Sequence, residues 1–75
     1  DKSEYKQMGL NWINKALSIQ PKPEHYICKA ELEYQLGRID AARQSIKLSE
    51  QKAPDNENWV SEYRRRVAQL INSVK

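Results

Sequence analysis

Residues 9–21, GLNWINKALSIQP, and residues 42–54, ARQSIKLSEQKAP, repeat the same residue classes at one fixed offset. Gly9, Ile13, Ala16 and Pro21 are answered 33 positions later by Ala42, Ile46, Ser49 and Pro54. A period of this length marks stacked supersecondary units, none of which buries its apolar face alone. The repeat therefore points to an architecture, a helical surface on which other molecules dock, and does not name the partner.

Working outward from the repeat, the spacing predicts helices throughout. The first runs from about Ser3 to Ile19, opened by Asp1 and Glu4 at capping-box spacing. Tyr5, Met8, Gly9, Trp12, Ile13, Ala16 and Leu17 recur every three or four residues and define its buried side; Leu10 and Ile19 widen that side. So broad an apolar arc on a short helix implies neighbours on two sides. Pro21-Lys22-Pro23 ends the helix, because both prolines lack an N–H and Lys22 is pushed out of the α region.

A second helix is expected from Glu24 to about Leu36, with Tyr26, Ile27, Ala30 and Tyr34 on one arc and Cys28, Leu32 and Leu36 on another. Gly37 supplies a left-handed cap. The third, from about Ile39 to Lys52, presents Ile39, Ala42, Ile46, Ser49 and Ala53 on a narrow face. The short loop between them makes these two helices antiparallel neighbours, with Ala30, Ala42 and Ser49 at the closest approach. Pro54-Asp55-Asn56 is the next break, and a last helix from about Glu57 to Val74 buries Val60, Tyr63, Val67, Leu70, Ile71 and Val74, with Trp59 at its edge. The fold class is all-α.

Seventy-five residues allow one small domain. With 39% hydrophobic and 31% charged residues, the chain is apolar enough to fold rather than stay disordered. A net charge of +3 is too mild to indicate nucleic acid as a partner. The single cysteine, Cys28, forms no internal disulfide, which fits a reducing compartment and makes the cytoplasm the default location. No apolar run is long enough to span a membrane. The chain opens at Asp1 in the middle of a repeat and reads as a piece of a longer polypeptide.

Within residues 23–56 the chain resembles a tetratricopeptide repeat, on the strength of Tyr26, Ala30, Gly37, Ala42, Ile46 and Pro54 at that family's intervals. Ser49 takes a position usually held by Ala, and Lys29 and Glu33 depart from the usual Leu and Tyr. The resemblance implies a short solenoid of antiparallel helix hairpins: residues 1–20 as the second helix of an incomplete repeat, 23–56 as one complete repeat, and 57–75 as a terminal capping helix. Arg64 stands at the small-residue position that would face a paired helix, so no such helix is expected to follow. Lys29-Ala30-Glu31, Leu36-Gly37-Arg38 and the closing helix are also similar to the helical tail of a family of exported bacterial proteins of unknown function, which implies a periplasmic or exported parent.

The tetratricopeptide resemblance implies a non-catalytic protein–protein interaction module with no cofactor. Its groove positions carry over to Glu24, Ile27, Glu31, Tyr34 and Gln35, with Ser61, Arg65 and Ala68 on the cap. Ile27, Cys28 and Glu31 stand where some family members clamp a peptide carboxylate, so that clamp is not expected, and a neutral or basic segment suits the groove better. Gly9, Ile13 and Ala16 correspond to positions that pack on a repeat's own first helix and mark a self-association face, expected to be covered by a second copy, as a homodimer through the N-terminal helix, or by the parent's preceding segment. The alternative is a structural cap or dimerisation element with no ligand of its own.

Other chemistry is thin. His25 and Cys28 lie three apart, yet there is no second His or Cys to complete a metal site. Nucleophilic catalysis would pair Cys28 with His25, but one turn of surface helix offers no cleft and no oxyanion donors. Glu24, Glu31 and Glu33 read as a solvated face. Arg64-Arg65-Arg66 sits near Trp59 and Tyr63, but three consecutive helical residues span about 200° and form no single patch.

Overall fold

The computed structural model describes residues 2–52 and 59–73. It contains α1 (Lys2–Ile19), α2 (Pro23–Gln35), α3 (Ile39–Lys52) and α4 (Trp59–Asn72), with no strand among the described residues. The protein is all-α. Asp1, Ala53, Val74 and the Pro54-Asp55-Asn56 break lie outside the described residues.

The helix boundaries follow from local chemistry. Lys22 is extended (φ −81°, ψ 148°), as the residue before a proline must be. Pro23 then occupies the first position of α2, where a missing N–H costs nothing, one residue before the expected start. The Lys22 carbonyl accepts from the backbone N–H groups of His25 (3.1 Å) and Tyr26 (3.3 Å). At the far end Gly37 has φ +81°. Its N–H donates to the Tyr34 carbonyl (3.0 Å) while that of Arg38 donates to the Glu33 carbonyl (2.8 Å). This pair of bonds is the Schellman cap, and it turns the chain so that α3 folds back along α2.

Ile27, Ala30, Ala42, Ile46, Val67 and Ile71 form one buried cluster, against which Tyr34, Ile39, Val60, Tyr63 and Ala68 pack. All of them belong to α2, α3 and α4. Ala30, Ala42 and Ser49 have no exposed surface, consistent with helices that approach closely at small residues.

The sequence pattern does not anticipate the polar part of this interior. Glu33, expected on a solvated face, is buried and accepts a 2.5 Å hydrogen bond from the Ser45 hydroxyl, which is itself buried. Arg64 is buried as well. Its Nε donates to Ser49 Oγ and its Nη2 to the Ser49 carbonyl, both at 3.0 Å. Ser49 in turn donates to the Ile46 carbonyl (2.6 Å). The serine hydroxyl thus gives the guanidinium an acceptor that an alanine would lack, beside the backbone carbonyl, and the cation joins α4 to α3. Leu70, expected in the core, is largely exposed because Val67 and Ile71 take the inward positions of α4.

The N-terminal helix departs furthest from expectation. Among the helices α1 packs on α2 alone. Its buried residue is Leu10, and Gly9 faces the two Leu32 methyl groups, where an added Cβ would sit 3.5 Å away. Two polar clasps reinforce the contact: Arg38 Nη2 donates to Gln7 Oε1 (3.0 Å), and His25 Nδ1 donates to the Gln20 carbonyl (3.1 Å). With Leu10 inward, Tyr5, Met8 and Trp12 turn outward, so the expected buried side is in large part the exposed one.

Candidate functional site

The residues carried over as a groove do not form one. Ile27 is 0% exposed at the centre of the core, and Ser61 is also buried, so neither lines a surface. The cause is α4, which packs across α2 and covers the face that the groove needs. Tyr34 is half-buried against the core cluster, and Ala68 packs on it from α4. Glu24 is half-buried, while Gln35 and Arg65 are exposed.

Glu31 is drawn into a different arrangement. Tyr63 and Cys28 neighbour each other across the α2–α4 contact, with the Glu31 carboxylate close by. Burial, the Glu31 charge and neighbouring Cys28 push the Tyr63 hydroxyl up to about 12. Burial and then the Glu31 charge push the Cys28 thiol up, partly opposed by the Tyr63 hydroxyl. A thiol held in its protonated form is a poor nucleophile. His25, the expected companion of Cys28, is engaged with the Gln20 carbonyl. Among the described residues no three His, Cys, Asp or Glu side chains converge on a metal-sized site.

The arginine run is split three ways. Arg64 turns inward to Ser49, and Arg65 and Arg66 are exposed. Arg66 shares a shallow hollow with Trp59, Glu62 and Tyr63. Trp59 stacks on Tyr63 there, with ring centres 6.5 Å apart and planes at 22°. A second cleft runs between α3 and α4, floored by Ile46, Ala68 and Ile71 and edged by Arg43, Lys47, Glu50 and Asn72. Its rim carries both signs of charge, and Arg43 lies 3.6 Å from Asp40.

Among the described residues, α1 carries a run of exposed apolar side chains. Tyr5 is 74% exposed, Met8 57%, Trp12 70% and Ile19 77%. At 100° per residue these four fall within an arc of about 60°, a straight stripe roughly 20 Å long. Lys15 lies over the Trp12 ring, its Nζ 5.7 Å from the centroid. Gly9, Ile13 and Ala16, the expected self-association face, lie between this stripe and the α2 contact and are half-buried. The signal for the stripe was present in the sequence: Tyr5, Trp12 and Ile19 follow at intervals of seven, with Met8 and Lys15 between them.

Compared with known proteins, the chain matches no protein-family model, no curated protein and no solved structure. Among the described residues no helix is long and apolar enough to cross a membrane.

Proposed function

We propose that this chain is a non-catalytic docking module, a short helical scaffold of the tetratricopeptide kind, whose working surface is the apolar stripe of α1. The observation that carries this reading is the exposure of Tyr5, Met8, Trp12 and Ile19 along one line. Each exposed aromatic offers about 150–250 Å² of surface, so the stripe reaches the upper end of the roughly 300–600 Å² of the largest apolar patch on an ordinary monomer. Patches of that size are commonly functional. The 33-residue offset supports the same reading. In α3 the face equivalent to Gly9, Ile13 and Ala16 is closed by α2 and α4, whereas in α1 the surface beside that face lies open.

The form of the stripe selects the partner. A straight apolar line at heptad spacing fits the apolar face of another helix. The test is a library of amphipathic helical peptides, with binding mapped by amide chemical shifts. Bound peptides should shift residues of α1 and lose affinity at least tenfold on Trp12→Glu. Binding that maps only to the α3–α4 cleft, or no binding at any site, would overturn the reading.

A further inference from the structure

The stripe of α1 is complementary to itself. Number it as a heptad, and Tyr5, Trp12 and Ile19 are a positions while Met8 and Lys15 are d positions. In an antiparallel pair the a positions of one helix layer against d positions of the other. A two-fold axis beside residue 10 lies close to the middle of Lys2–Ile19, so the helices overlap along nearly their whole length. In that register Met8 meets Trp12 of the second copy, a sulfur–aromatic contact. Lys15 meets Tyr5 of the second copy, a cation–π contact of the kind Lys15 already makes with Trp12.

The flanks agree with the same register. An antiparallel two-fold places like flanks of the two helices side by side. One flank carries Ala16, a small residue that allows the backbones to approach. On the other side lie Glu4 and, at the edge of the stripe nearest to it, Lys15, both exposed, and the symmetry sets Glu4 of each copy within one residue of the level of Lys15 of the other. The charges are opposite. The area is of the right order: two stripes covered in full would bury at most about 1,000–1,200 Å², the lower bound for a specific interface.

We infer that the occupant of the stripe is a second copy of this chain, docked through α1 as an antiparallel two-fold pair. The inference rests on the docking reading above and names its partner.

Sedimentation equilibrium over a range of concentrations, with circular dichroism to follow helicity, tests it on the 75-residue chain. Wild type should dimerise, Trp12→Glu should weaken the dimer at least 100-fold with helicity kept, and Trp59→Glu on α4 should leave it unchanged. If Trp12→Glu loses helicity, the exposed charges decide. Glu4→Lys and Lys15→Glu should each weaken self-association several-fold, and an equimolar mixture of the two variants should restore it as a heterodimer. A wild-type chain that stays monomeric near 1 mM would overturn the inference, as would a dimer indifferent to Trp12→Glu, or a charge-variant mixture no tighter than its components. A monomer whose α1 still binds helical peptides would sink the second copy alone, and a monomer that binds none would sink the docking reading with it.

Discussion

Arg64 carries the plainest lesson at the level of single residues. A cation at a position that small residues usually fill looks like a polar surface feature. Instead it is buried, with its fork satisfied by the hydroxyl and the carbonyl of Ser49. What makes this tolerable is the serine, whose side chain is short enough to admit the guanidinium and polar enough to receive it. Both Ser49 and Arg64 are visible as departures from the tetratricopeptide pattern that the sequence resembles, but their pairing spans 15 residues and depends on how α4 lies on α3. Periodicity carries no such information. Removing the cation should expose the arrangement. Arg64→Met keeps the length and loses at least the two bonds to Ser49, so it should cost about 1–3 kcal/mol, a drop of roughly 4–8 °C in melting temperature per kcal/mol for a domain of this size. Arg64→Lys should recover only part of it, because an ammonium lacks the planar fork. A thermal melt of each variant checks this, and a loss within about 0.5 kcal/mol would be the behaviour of a solvated surface cation.

Helices α2 and α3 were legible in the sequence because local and long-range signals coincide there. Pro23, Gly37 and the small residues Ala30 and Ala42 all specify the same hairpin. On α1 the signals diverge. The helix itself follows from its periodicity, yet its apolar residues cover more of the circumference than α2 alone can bury, and periodicity cannot say which part α2 takes. Leu10 wins because Leu32 and Gly9 fix the contact on its side, leaving Tyr5, Met8 and Trp12 outside. The expected groove failed for a related reason: α4 settles on α2 over Ile27, and nothing local to either helix announces it. That α2–α4 contact has its own signature. Tyr63 and Cys28 are both shifted upward, so the folded chain keeps protons that the unfolded chain gives up. Their contribution to stability is complete below the unfolded values, 9.0 for the thiol and 10.0 for the phenol, and is lost as pH rises above them, for Tyr63 as it climbs toward about 12. Tyr63→Phe should therefore lose stability less steeply than wild type above pH 10. Urea melts of both chains across pH 8–11.5 measure the difference, in which the other tyrosines and the lysines cancel. Parallel slopes would place Tyr63 in solvent.

Seen whole, the molecule has one core and one attachment. The buried cluster joins α2, α3 and α4, while α1 adheres through Leu10, the Gly9–Leu32 contact and two polar clasps. Stability should be graded accordingly, with α1 opening at lower free energy than the other three helices. A dimer through α1 would change that grading, because mass action stabilises whatever the partner binds. At low concentration the amides of α1 should exchange faster than those of α2 and α3. Raising the concentration through the dimerisation range should slow exchange in α1 first and leave the α2–α3 hairpin little changed. The melting temperature should follow. A tenfold rise in concentration is worth about 1.4 kcal/mol per dimer, half of that per chain, so an increase of a few degrees is expected for a domain of this size. Trp12→Glu should remove the concentration dependence of both measurements while preserving the α2–α3 protection measured in the dilute wild type. Hydrogen exchange and melts over two decades of concentration would decide it. Protection in α1 that is high and independent of concentration would mean that α2 alone holds the helix and that the stripe contributes nothing to its stability.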